Sequence, residues 1–210
     1  MPRAKKKSKV PPPFAFPSLP HKRVHGPQGH VDYGNYKPWL RDEFEFRCVY
    51  CLTRELWSFF GKNIFEIDHV LPQKTHPRLT CDYDNLVYAC GDCNSLKSDR
   101  AGLPDPCRTS MARHVRLLPD GKFAGVTPQG KRMVEYLRLN VPEKVASRSR
   151  LLYIFENQDR FGGPLLDYFR YPLDLPDLSV LKPPGKNSRP RGVALSHLAR
   201  KAKRVLPEYY

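Results

Sequence analysis

The sequence predicts an α+β fold built on a small core, and three observations carry that reading. Two Cys-x-x-Cys clips, Cys48/Cys51 and Cys90/Cys93, bracket residues 52–89. Inside the bracket, residues 64–68 (IFEID) alternate in strand fashion, and residues 83–88 (YDNLVY) form a second apolar-rich strand. Residues 92–100 contain no Gly or Pro and read as a helix, stopped by Gly102 and Pro104. The core is placed at residues 37–103. A basic Pro-rich arm precedes it at 1–36, and a mostly helical, Pro-rich extension with a basic tail follows at 104–210.

The remaining elements follow in order. The arm carries Lys5, Lys6, Lys7 and Lys9, then Pro11 to Pro13, and reads as irregular with polyproline-like pieces. Residues 38–46 set Trp39, Leu40 and Phe44 at helical spacing, a short helix leading into the first clip. Residues 52–60 supply another turn, and Gly61-Lys62-Asn63 a hairpin-like turn before the first strand. Pro72 ends that strand and opens a loop to Thr80. Beyond the core, residues 113–123 turn on Asp120-Gly121 as a hairpin. Thr127-Pro128 caps one helix, and Asn140 to Pro142 repeats the signal for a longer one reaching Gln158. Residues 164–190 are punctuated by proline, and 193–205 read as a basic helix.

Composition sets the class of partner. The 210 residues hold 36 Lys+Arg against 21 Asp+Glu, a net charge of +15. Such an excess attracts polyanions, nucleic acid above all. No apolar run is long enough to span a bilayer, and the opening MPRAKKKSKV lacks the apolar stretch of a secretory signal. The expectation is a cytoplasmic protein without a membrane partner, whose six cysteines are thiols or metal ligands rather than disulfides.

Four thiolates in two clips suit a structural Zn2+, because each x-x spacing lets one knuckle offer two soft ligands to a tetrahedral ion. The long separation requires a folded unit inside the loop, and metal closure can stabilise it. Cys81 and Cys107 have no partner at ligand spacing.

A second set of residues has harder chemistry. Hydrolysing a phosphodiester needs a base near neutral pH and a hard cation held by oxygens. His69 is such a base. Asp68 and the amide oxygen of Asn94 are such ligands, and Mg2+ or Mn2+ needs few protein donors because it keeps its waters. Neighbours on a strand point to opposite faces, so Asp68 can turn to the cation and His69 to the attacking water. On the helix, Asn94, Lys97 and Ser98 share a face, and Lys97 and Arg100 are expected to contact phosphate. Glu66 is expected to face solvent.

The pattern C-x-x-C … E-I-D-H-V-L-P … Y-D-N-L-V-Y-A-C-x-x-C-N-S-L-K-S-D resembles the HNH endonucleases of the ββα-metal class over residues 46–100. The resemblance implies a β-hairpin packed on a helix, with catalysis at their junction. It implies His69 as general base, Asp68 as metal ligand, and Asn85 as the residue bracing the loop that carries His69. Asn94 stands where many members have histidine, which makes this an H-N-N version. The amide oxygen there favours Mg2+ or Mn2+ over softer ions.

The expected substrate is DNA, with RNA left open, cut to 5′-phosphate and 3′-hydroxyl ends as the resemblance implies. The arm (Arg3 to Lys9, Lys22, Arg23) and the run Arg200, Lys201, Lys203 and Arg204 would neutralise phosphates without reading sequence. A homodimer, or a partner protein such as an ATPase gating cleavage, stays open. The rival reading is a zinc-ribbon-like module that binds nucleic acid or a partner without cutting.

Overall fold

The computed structural model of the chain describes residues 14–57, 65–161 and 163–209. The lysine run at 5–9, Pro11 to Pro13 and the Gly61-Lys62-Asn63 turn lie outside the described residues. Elements follow the chain: α1 (Lys37–Glu43), β1 (Phe65–His69), β2 (Leu86–Cys90), α2 (Gly91–Lys97), α3 (Met111–His114), β3 (Val115–Leu117), β4 (Phe123–Gly125), α4 (Pro128–Tyr136), α5 (Pro142–Glu156), α6 (Gln158–Phe161) and α7 (His197–Ala202). Short 3-10 helices, among them Tyr33–Tyr36 and Tyr83–Asn85, fill several connections. No helix among the described residues is long and apolar enough to cross a membrane.

The core is a ββα unit. β1 and β2 pair antiparallel, with Phe65 opposite Cys90 and His69 opposite Leu86. Every residue of β2, Leu-Val-Tyr-Ala-Cys, is buried. Its run is apolar throughout rather than alternating because α1 and α2 both pack against it. Cys90 is at once the last residue of β2 and the N-cap of α2, so strand and helix meet without a loop. The helix is shorter than its sequence suggests. Ser98 adopts a left-handed φ of 47° and its N–H bonds to Asn94 O at 2.9 Å, which ends α2 at Lys97 instead of Arg100.

The extension adds a second hairpin. β3 and β4 pair antiparallel around Asp120-Gly121, and Thr127 caps α4 by accepting from Gly130 N. Asn140 does not cap α5. Its amide spans Phe123, accepting from that residue's N–H and donating to its carbonyl, both at 2.8 Å. The basic helix α7 covers six of the expected residues, preceded by a 3-10 turn at Pro190–Leu195.

One hydrophobic cluster runs from Phe14 through the ββα unit to Leu178. Phe14 stacks on Trp57 with ring centroids 4.8 Å apart and meets Phe155 and Phe169 edge-on. From Phe14 to Asp32 the described part of the arm forms no regular helix or strand beyond a single 3-10 residue, yet it is part of the core. Two of its histidines bond to carboxylates of α1. His21 donates to Glu43 at 2.6 Å, and His25, fully buried, donates to Asp42 at 2.8 Å. From the far end of the chain, His197 donates to the other oxygen of Asp42 through both its backbone N–H and Nδ1, at 2.8 and 3.0 Å. Asp42 and Glu43, in the last turn of α1, therefore clasp the arm and α7 to the core.

The clasp makes stability depend on acid. Burial alone would raise the Asp42 carboxyl, but hydrogen bonds from His197 and His25 outweigh it and hold the pKa down at about 2. A depressed carboxyl contributes stability above its unfolded pKa of about 3.9, lost as pH falls through the folded value. In urea unfolding, the advantage of wild type over Asp42→Asn should shrink by roughly 2 kcal/mol between about pH 4 and pH 2. A gap that stays constant over that range would refute the role.

Candidate active site

The four clip cysteines are all buried, and their sulfurs lie within 4.8 Å of one another. Cys51 Sγ and Cys90 Sγ are 3.7 Å apart. A tetrahedron with metal–sulfur bonds of about 2.3 Å has edges of about 3.8 Å, so this spacing suits an ion such as zinc. Hydrogen bonds from Cys48, Cys90 and Cys93 push the Cys51 thiol down, and those with Cys48 and Cys51 push the Cys90 and Cys93 thiols up. Arg148 of α5 is buried nearby. Burial lowers its pKa, and the Cys51 and Cys93 sulfurs oppose that by favouring the charged guanidinium. It donates to the carbonyls of Gly121 and Leu139. Lys144 of the same helix pairs with Asp92 of α2 at 2.5 Å.

Strand alternation sends Asp68 and His69 to different surroundings. Asp68 is 4% exposed and faces the first clip and α2. Its Oδ2 accepts from the Tyr50 hydroxyl at 2.5 Å, and its Oδ1 from Lys97 Nζ at 2.9 Å. Lys97 also donates to His69 O at 2.6 Å and is only 2% exposed. Burial raises the Asp68 carboxyl pKa, against the opposing pull of Lys97 and Tyr50.

Lys97 therefore departs from the expected phosphate contact. Its stem runs under the ββα junction, and its ammonium compensates a buried carboxylate. Arg23 departs likewise: its side chain is 6% exposed, lies over the rings of Phe44 and Tyr83, and donates to Leu86 O at 2.5 Å. Arg100 is exposed, over the ring of Tyr136. Lys22, Lys201, Lys203 and Arg204 are exposed as well.

His69 faces the loop that follows β1. Its Nε2 lies 2.9 Å from Thr80 O, and because a carbonyl only accepts, Nε2 carries the proton. Nδ1 is then the basic nitrogen. The Gln73 amide nitrogen lies 3.1 Å from both ring nitrogens, and Tyr33 meets the ring edge-on at 4.8 Å. Burial lowers the His69 pKa more than the Thr80 carbonyl raises it, which favours the neutral imidazole.

Asn85 pins the same loop. Its Oδ1 accepts from Leu71 N at 2.9 Å, and its Nδ2 donates to the carbonyls of Leu71 and Leu79 at 3.1 and 3.2 Å. The carbonyl that fixes the His69 tautomer is the next residue, Thr80. Asn94, half-buried on α2, donates through Nδ2 to Glu66 Oε2 at 2.6 Å. Glu66 thus engages α2 instead of facing free solvent. A carboxylate only accepts, so the amide end turned to Glu66 is the NH2 and Oδ1 remains as the donor for a cation. Asp68 has a partner on each oxygen, yet a carboxylate offers about four acceptor sites, so it too can serve a hard ion.

Tyr50, Gln73 and Tyr33 are contacts that the sequence reading missed, and Glu66 is one that it assigned to solvent. Glu66 had a signal, since it stands two residues before Asp68 and shares its strand face. Tyr33 and Gln73 had none, because their contacts cross between segments.

Residues 48–100 match the family model described as HNH endonuclease, so the clips and what they enclose form an HNH domain. The Septu protein PtuB of Bacillus thuringiensis is 29% identical over 98 residues, covering 45% of this chain and 37% of that protein. The chain thus spans well under two thirds of the relative it matches.

Two outcomes follow from these contacts. Lys97→Ala leaves a buried carboxylate uncompensated and should cost about 3–5 kcal/mol in urea unfolding; a surface lysine would leave stability within about 0.5 kcal/mol. Metal analysis should find about one thiolate-bound ion per chain. Cys90→Ser should lose that ion together with the cooperative unfolding transition.

Proposed function

We propose that the chain is a metal-dependent HNH endonuclease that hydrolyses DNA phosphodiester bonds. The observation that carries the reading is the His69 tautomer. With Nε2–H held by Thr80 O, Nδ1 is an unprotonated base on the strand position next to a buried acid. His69 takes a proton from water at Nδ1. Asn85 keeps the loop, and with it the Thr80 carbonyl, in place. Asp68 and Asn94 Oδ1 would hold Mg2+ or Mn2+, which when bound supplies positive charge at the phosphate and leaving oxygen. The cysteine cluster would hold zinc and tie the first clip to α2. Arg100 and the exposed basic residues of the arm and α7 would neutralise backbone phosphates.

A second reading is favoured by one feature. Both oxygens of Asp68 are engaged by Lys97 and Tyr50, and the Asn94 amide is turned to Glu66. A nuclease closed in this way would cut only when a partner, such as an ATPase, reopens the cation site.

Plasmid DNA and RNA of matched length, incubated with the purified protein and Mg2+ or Mn2+, should separate these readings. DNA cleavage should fall by about 10²–10⁴-fold in His69→Ala. Cleavage that survives the substitution would remove His69 as the base. No cleavage with any cation, while DNA binding persists, favours a non-cleaving module. Cleavage regained only when a co-purifying protein is added supports the gated form.

A further inference from the structure

We propose that Tyr50 is a positioning residue that couples the cysteine cluster to the cation site. The inference rests on the nuclease reading, and it concerns a residue that touches neither the scissile phosphate nor the sulfurs' ion.

Tyr50 sits inside the first clip, in the sequence Cys48-Val49-Tyr50-Cys51, flanked by two of the four converging sulfurs. The clip is tightly held. Cys48 N donates to Thr53 O at 2.8 Å, Leu52 N to Cys48 O at 3.0 Å, and Val49 N to Tyr88 O of β2 at 3.1 Å. A side chain projecting from such a turn has little freedom. Tyr50 is 1% exposed, and its hydroxyl ends 2.5 Å from Asp68 Oδ2. A carboxylate oxygen only accepts, so the Tyr50 hydroxyl is the donor in this bond. It thereby joins the clip to the buried carboxylate of β1.

The second clip reaches the same carboxylate from the other side. Cys90 caps α2 and Cys93 lies within it; one turn further on, Lys97 donates to Asp68 Oδ1. Each clip thus delivers one donor to one oxygen of Asp68. The two donors fix the carboxylate's rotation and leave its remaining lone pairs facing a set direction. Ligands oriented in this way bind their ion more tightly, and loss of such a partner typically weakens metal affinity by about 10–100-fold.

Tyr50→Phe removes the hydroxyl and keeps the ring that fills the site, so the clip can close as before. Mn2+ alone serves as the probe, titrated into the full chain and followed by electron paramagnetic resonance of the free ion. Thiolate-bound metal is counted in the same samples. Tyr50→Phe should retain the thiolate-bound ion and its melting transition while its Mn2+ dissociation constant rises about 10–100-fold. In cleavage assays, half-saturating Mn2+ should rise by a similar factor, with kcat at saturating Mn2+ changing far less. Val49→Ala, a buried change in the same clip without the hydroxyl, should leave Mn2+ affinity as in wild type.

Equal Mn2+ affinity in wild type and Tyr50→Phe would overturn the coupling and leave the nuclease reading standing. Equal weakening by Val49→Ala would overturn it too, because packing of the clip would then suffice. A loss of kcat with unchanged Mn2+ affinity would place Tyr50 elsewhere in the reaction. Wild type that binds no Mn2+ would remove both the coupling and the cation site it rests on.

Discussion

The convergence of four cysteine sulfurs is the constraint on which the rest depends. Cys48 and Cys51 belong to a turn and Cys90 and Cys93 to the β2–α2 joint, yet all four sulfurs lie within 4.8 Å of one another. Closing a loop of that length costs chain entropy that the two short strands would offset only in part. Once it is closed, β1 has one place to lie: between the clip turn on one side and α2 on the other. The position of every polar group at the junction follows from that.

Burial then decides the chemistry. Asp68 is removed from water, a costly move unless each oxygen has a partner. Tyr50 and Lys97 are those partners. His69, one residue on, faces the opposite way and takes its orientation from a backbone carbonyl. Two adjacent side chains thus have opposite roles because a strand alternates and each of its faces meets different neighbours.

The chain's ends contribute by clasping. Asp42 and Glu43 collect His21, His25 and His197 from segments more than a hundred residues apart in sequence. Phe14 extends the core to Trp57 and Phe169. From Phe14 onward the basic arm is a strap across the ββα unit, and Tyr33, on its last turn, reaches the His69 ring.

The sequence by itself determined the clips, the two strands and the helix that follows Cys90. These are local facts: ligand spacing, period-two alternation and the absence of helix breakers act over a few residues. The tertiary structure decided which charges face solvent. Lys97 reads in sequence like any helix-surface lysine, and only the packing of α2 on β1 turns it inward to Asp68. Asn140 carries the residue type of a cap, but the nearby Phe123 backbone offers its amide two bonds at once. Glu66, Tyr50 and Tyr33 acquire their partners from segments brought together by the fold. Such pairings depend on distances across the chain, which no local pattern encodes.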